Sequence, residues 1–356
     1  MPMVVAGRLL SGLAEGLLDV SLMVLVARAL PAVLRPRMFS LFAAMWILPS
    51  VLGPVLTGFI TEQVGWRWVF IGALILLPPV WALIQPAIRV AQSTQRSEAV
   101  DPRADSALRN VLPAAVTAAV SVFALTLAGE LLKEHTTVAA ATILVAIGGL
   151  AWSAVKIMPI GTFRARRGLP AVITLRGAVS IAFGTPGAFL PLLLTLLHDF
   201  SPTTAGISLT ITGVTWAFGS WLQGRRHSYS RVMVLRIGLG AMAIGLTLTT
   251  LLVVTHLPVW IGLSGWAIAG VGIGLSSPSL AVLILDLSDD SNQGRNNSAG
   301  QMAVSISIAT GYAIAGTMVA FAAPAPGPAV FGLIIGFGAV IAILGFLITG
   351  RVRPSR

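Results

Sequence analysis

Three ionisable residues and a glycine recur at helical spacing inside an otherwise apolar N-terminal stretch: Arg8, Gly12, Glu15 and Asp19. At about 100° per residue they fall within about 60° of arc, so they form one stripe on one helix face. An ionisable group near a bilayer centre costs at least about 2.5–3.5 kcal/mol on insertion scales, and such groups face a protein interior or a wet cavity. Two readings fit the stripe. In one it lines a transport path, with Glu15 or Asp19 as a carboxylate whose proton affinity responds to water access. In the other it is an ion-pair network that holds helices together, with Arg8 snorkelling to the outer surface. Both are proton and charge chemistry. The sequence offers no nucleophile–base pairing and no strand followed by a phosphate-binding loop, so no enzyme and no ATP-driven pump is expected. Cysteine is absent, and His135, His198, His227 and His256 form no ligand pair at helical spacing. No metal and no cofactor are therefore expected, a proton gradient being the suspected energy source.

The elements that position this stripe must be membrane-spanning helices. The chain has 356 residues, 56% hydrophobic and 10% charged, with mean hydropathy +0.91. A soluble protein of this size carries roughly a quarter charged residues, so most of this surface must face lipid. About 20 apolar residues cross a bilayer. Eleven segments qualify: 3–29, 38–61, 68–88, 110–130, 137–158, 174–197, 204–223, 232–254, 258–286, 298–322 and 328–350. Residues 1–30 read as a span rather than a cleavable leader, because no basic segment precedes the apolar stretch. The apolar runs are continuous rather than alternating, which excludes a β-barrel. The expected fold class is an all-α transmembrane bundle.

The arginines test the count. Cytoplasmic loops are enriched in Lys and Arg. Alternate loops hold Arg28, Arg35 and Arg37; Arg89, Arg96, Arg103 and Arg109; Lys156, Arg164, Arg166, Arg167 and Arg176; Arg225, Arg226, Arg231 and Arg236; Arg295; and Arg351, Arg353 and Arg356. That is 20 of the 23 Lys and Arg residues, against Arg67 and Lys133 on the other side. The net charge of +11 is thus a topology signal rather than a nucleic-acid footprint. It predicts a multi-pass protein of the cell membrane with a cytoplasmic C-terminus and, for an odd number of spans, an external start of this chain. The expected partners are the lipid bilayer and a small-molecule substrate, with no nucleic acid.

A polar stretch divides the chain. Residues 91–109 are rich in charge, Ser and Pro and read as a cytoplasmic linker. They separate a partial N-terminal half of three helices (1–90) from two additional central helices (110–158) and a C-terminal half of six (159–356). A shift of 258 residues aligns 7–58 with 265–316 without gaps and gives twelve identities in 52 positions. Gly7, Gly12, Gly16, Gly53 and Gly58 fall on Gly265, Gly270, Gly274, Gly311 and Gly316, and the loop residue Arg37 falls on Arg295. Parallel repeats of this kind relate the two halves of a major transporter fold. In the second segment Gly53, Pro54 and Gly58 permit close packing and a kink. The glycines of GVGIG (270–274) lie inside an apolar helix and read as packing residues.

These stretches carry a family resemblance. GRLLSGLAEG (7–16) resembles the R-x-x-x-G motif of the fourth helix in major facilitator superfamily antiporters, and LPSVLGPVLTGFITEQVGWRWVF (48–70) resembles the antiporter motif of the fifth helix followed by the G-W-R-W-x-F signature. SPTTAGISL (201–209) is similar to the S-P-x-x-A-G-L segment of the 14-helix drug:proton antiporter branch. GVGIGLSSPSL (270–280) resembles the glycine-rich helix late in the second half. GSWLQGRRHSYSRVMVLRIG (219–238) looks like a degenerate copy of the cytoplasmic G-x-L-x-D-R-x-G-R-R loop without its aspartate. His198-Asp199-Phe200 departs from the family pattern, which places a glycine just before the serine, and Phe59 stands where a second glycine is usual. The resemblance implies a major facilitator bundle whose first three helices are missing from this chain. It also implies alternating-access export of small drug-like molecules against an inward proton flux. The alternative is a truncated, inactive or structural membrane protein of the same fold.

Overall fold

The computed structural model describes residues 56–94, 102–131, 136–225, 230–289, 293–322 and 326–353, with single positions between 7 and 53. The described residues form helices, short 3-10 turns and connections, with no strand among them. In a bilayer this is forced: each backbone polar group must find its partner within the segment, and a helix does that alone. After a helical stretch at 56–63 come α1 (Arg67–Thr94), α2 (Pro102–Leu131), α3 (Thr136–Ile157), α4 (Leu169–Leu197) and α5 (Pro202–Arg225). They are followed by α6 (Arg231–Thr249), α7 (Val259–Asp286), α8 (Gln293–Phe321) and α9 (Pro328–Ile348).

Among the described residues seven helices are long and apolar enough to cross a membrane: α1, α3, α4, α6, α7, α8 and α9. These match seven of the expected segments. The expected 110–130 and 204–223 also lie in helices, α2 and α5. The apolar run of α2 is shorter, Leu112–Leu125, and seven residues of α5 are Ser or Thr. Several of those hydroxyls find their acceptor within the helix. Thr212 donates to the Ser208 carbonyl at 3.1 Å and Thr215 to that of Ile211 at 2.7 Å, the i−4 back-bonding that makes hydroxyls tolerable in a membrane helix. The first two expected segments, 3–29 and 38–61, fall largely outside the described residues.

The core sits in residues 169–353. Leu175, Leu193, Leu235, Met242, Leu246 and Trp266 are wholly buried there. α7 packs most extensively, against α6 on one side and α5 on the other. Glycine pairs make this possible. A Cβ on Gly272 would stand 2.6 Å from the Gly238 carbonyl, and one on Gly274 would stand 2.9 Å from the Gly219 Cα. One on Gly265 would stand 2.7 Å from the Gly245 carbonyl. The glycine run of α7 is therefore a two-sided packing seam. α4 packs on α8 and α9, and α2 pairs with α3 and docks on α8. α1 is different: no part of its apolar window is buried, and Leu74, Ile75, Trp81 and Leu83 are all exposed.

Helix ends follow local chemistry. Gly168 takes φ 86° before α4, and Pro170 lies in the first turn, where a missing N–H costs nothing. Ser230 caps α6 by accepting the Met233 N–H at 3.3 Å.

Candidate functional site

The residues expected to carry transport chemistry are unevenly placed. Arg8, Glu15, Asp19, Pro54 and Arg37 lie outside the described residues. Gly12 is helical and exposed, and a Cβ at Gly7, Gly12 or Gly53 would meet nothing within 4 Å. Arg295 is exposed in the first turn of α8. Gly58 is the exception, because it reaches across to the second half. A Cβ there would stand 2.7 Å from the Thr203 Cα and 3.1 Å from its backbone nitrogen.

One helical turn further on, Glu62 completes this junction. Its Oε1 accepts the Thr203 N–H at 3.0 Å, while the Ser201 hydroxyl accepts the Thr204 N–H at 3.2 Å. Two of the first free N–H groups of α5 are thereby satisfied. The Thr203 N–H holds the Glu62 carboxyl below the usual glutamate range, and the neighbouring Thr203 and Ser201 hydroxyls act the same way. Glu62 is 141 positions from Thr203, so it caps a helix belonging to the other half.

The 201–209 segment does more than start a helix. The Ser208 carbonyl accepts the indole N–H of buried Trp266 at 3.1 Å, tying α5 to α7. Trp266 stacks on Phe183 of α4 with centroids 4.5 Å apart, and Phe183 meets Trp216 of α5 edge-on at 6.1 Å. Three helices thus share one aromatic cluster, worth about 0.5–1.5 kcal/mol per pair beyond its burial. The departure at His198-Asp199-Phe200 has its own structure. His198 Nε2 bonds the Leu252 carbonyl at 2.8 Å, and Asp199 takes φ 53°, a left-handed turn that aspartate tolerates better than most residues.

At the opposite end of the bundle two arginines behave differently. Arg231 pairs with Asp286 of α7 at 3.4 Å, both about half exposed. This supplies from α7 the carboxylate that the 219–238 segment lacks, and an exposed pair of this kind contributes about 0–1 kcal/mol. Arg176, grouped from the sequence with a cytoplasmic loop, is the eighth residue of α4. Its Nη2 donates to the Gln301 side-chain oxygen of α8, while Nε and Nη1 are covered and have no partner. The sequence reading passed over Glu62, Asp286 and Gln301. An acid at the end of an apolar segment was the available signal for Asp286 and Glu62, and nothing in the local sequence marks Gln301. Among the described residues no group of three or more His, Asp or Glu could hold a metal ion.

The architecture has counterparts among known proteins. The chain covers 92% of its own length and 73% of the other chain on the structure of an auto-inhibited POT family peptide transporter, at TM-score 0.53 and 14% identity. That likeness concerns the fold. A probable multidrug-efflux transporter of Mycobacterium tuberculosis is 30% identical over 366 aligned positions, which span 98% of this chain and 74% of that protein. Multidrug resistance protein 3 of Bacillus subtilis is 25% identical over 334, spanning 87% of this chain and 60% of that protein. The family model described as Major Facilitator Superfamily matches residues 1–225, which include Gly58, Glu62 and the helix that Glu62 caps. With an all-helical multi-pass bundle, a glycine-paired second half and end-to-end likeness to such transporters, the chain belongs to the Major Facilitator Superfamily.

Proposed function

We propose that the chain is a secondary active transporter that exports small drug-like molecules from the cell, driven by inward proton flow. The observation that carries this reading is the 30% identity to a probable multidrug-efflux transporter over 98% of the chain. The physical features agree with it. Glu15 and Asp19 supply carboxylates at helical spacing for a proton site, and a carboxylate serves that role when its water access changes during the cycle. Of the aromatic cluster only Trp216 is exposed, and it lies on the hydroxyl-rich α5, a face suited to varied lipophilic solutes. Alternating access would rock the two halves around a midplane site, with the C-terminus on the cytoplasmic side, as the arginine asymmetry requires.

The test is dye export. The chain is expressed in a bacterial strain stripped of its own efflux pumps and loaded with ethidium. Export should depend on expression, stop on addition of a protonophore, and be lost in Asp19→Asn with membrane insertion unchanged. Ethidium retention that is the same with and without the protein would overturn the proposal.

A further inference from the structure

Arg176 is a cation that the transport reading leaves without a task. It lies seven residues after the start of α4, about 10 Å along the axis at about 1.5 Å per residue. Its stem crosses α8 at Gly300, where an added Cβ would stand 3.3 Å from the arginine Cδ and 2.6 Å from the Ile284 Cδ1 of α7. A side chain at this position would press on both the arginine stem and the Ile284 terminus. Among the described residues no carboxylate forms an ion pair with Arg176, and the acid nearest in kind, Asp286, is engaged by Arg231. A guanidinium has five N–H donors. One nitrogen is satisfied by Gln301, while Nε and Nη1 have neither acceptor nor solvent.

The orientation of Gln301 follows from this contact. Arginine offers donors only, so the amide must turn its oxygen to Arg176 and its NH2 group away. The pair therefore presents donors alone and one positive charge. Such a pair wants an acceptor that is negatively charged. An unpaired cation within a membrane bundle is costly to keep, and its retention marks a functional position.

We propose that Arg176, with Gln301 beside it, is a recognition site for the oxyanion group of an amphipathic solute, a carboxylate, sulfonate or phosphate. The assignment rests on the transporter reading and names one class of solute that it would carry, alongside cations such as ethidium. In the present conformation Arg176 Nε and Nη1 are covered beside Gly300 of α8, while Gln301 is exposed. α4 carries Pro186 and Pro191 beyond Arg176, positions at which a helix bends. The turns bearing Arg176 can swing away from Gly300 without disturbing the far end, and the guanidinium then meets the solute. An anionic lipid headgroup offers the same chemistry, so the experiment separates the two sources.

The full chain is purified into nanodiscs of uncharged phosphatidylcholine, and binding of carboxyfluorescein (anionic) and ethidium (cationic) is followed by fluorescence anisotropy. Arg176→Gln should weaken carboxyfluorescein binding at least tenfold and change ethidium binding less than twofold. Arg176→Lys, which keeps the charge but not the planar donor set, should fall between. Gln301→Ala should weaken the anion about threefold. Equal loss of both dyes in Arg176→Gln, or loss of neither, would overturn the assignment, as would a native protein that fails to bind carboxyfluorescein. Binding that vanishes when anionic phosphatidylglycerol replaces part of the lipid would assign the site to a headgroup instead. A native protein that binds the anion but moves no dye in everted vesicles would sink the transport reading and leave the site standing.

Discussion

Adding one methyl group at Gly245 tests whether the glycine pairs hold the second half together. Gly245 of α6 faces α7, and its added Cβ would stand 2.6 Å from the Gly265 carbonyl oxygen and 2.9 Å from the Ala269 Cα. Carbon atoms attract best at about 3.5–4.0 Å, so the two helices would have to part by more than half an ångström. The obstructing atoms are main-chain atoms of a buried helix, and no rotamer change can relieve them. Overpacking of this kind costs about 1–3 kcal/mol, and here the upper end applies because the contacts are backbone on both sides. Removing a mid-helix glycine returns about 1 kcal/mol of propensity. The net expectation for Gly245→Ala is a loss of about 2 kcal/mol. For a unit the size of residues 169–353 that lowers the thermal midpoint by about 4–8 °C. Gly336 of α9 is the matched control, since its Cβ would meet nothing within 4 Å. Gly336→Ala should therefore raise the midpoint slightly. The assay is thermal unfolding of the purified protein in one detergent, followed by intrinsic fluorescence. If both variants shift the midpoint in the same direction by similar amounts, steric closeness at the α6–α7 seam is not what decides stability there.

Other predictions bear on the junction and the charges. The Glu62 carboxyl is held below its usual range by the α5 N-terminus, so its contribution to the closed junction is complete above that range and is lost as pH falls through the lowered value. The chain lacks cysteine, so Gln63→Cys with Thr204→Cys gives a clean spin-label pair. The distance between the labels should lengthen in acid for the native background. Glu62→Gln should already be lengthened at pH 7 and should not change between pH 3 and 5; a pH response identical to the native one would remove Glu62 from the junction. Asp286→Asn should change the thermal midpoint by less than about 2 °C, because an exposed ion pair contributes about 0–1 kcal/mol. A shift several times larger would mean the pair is part of a wider network. Reporter fusions at 165 and 230 should score cytoplasmic and fusions at 200 and 256 external, and any mixture within either pair would break the helix count.

The helices were legible because a membrane leaves one economical solution for a long apolar run. Even α5, diluted by seven Ser and Thr residues, was legible, since arginine counts on alternate loops required a crossing there. The packing role of Gly272 and Gly274 was readable from their place inside an apolar helix, but their partners Gly238 and Gly219 were not. Nothing local distinguishes a glycine that meets another helix from one such as Gly336, whose added Cβ would meet nothing within 4 Å. Arg176 was misplaced for a related reason. Charge counting treats an arginine near a helix end as a loop residue, whereas the close approach at Gly300 of α8 draws this one inside. Glu62 stands at the end of an apolar segment, but its role could not be read, because its partner lies 141 positions away at the start of α5.

The two copies of the internal repeat use the same glycines differently, and this bears on how the protein moves. In the second copy Gly265 is pressed against Leu248 and the Gly245 backbone, and Gly311 against Ile181 and Thr185. At the matching positions Gly7 and Gly53 meet nothing within 4 Å among the described residues, while for the pair Gly58 and Gly316 it is Gly58 that is tight, against Thr203. A body closed by backbone-to-backbone seams is stiff and shifts as a unit, because interiors packed to crystal-like density do not deform continuously. The described first-half residues reach that body at Gly58 and Glu62, through a close approach and a hydrogen bond to Thr203. Of these interfaces, the polar junction is the one that can open without creating a cavity or stranding a buried group, since Glu62 is exposed and water can replace its bond. Substitutions at Glu62 should therefore change how often the halves separate while leaving the thermal midpoint of the second half in place. Substitutions in the α6–α7 seam should do the reverse.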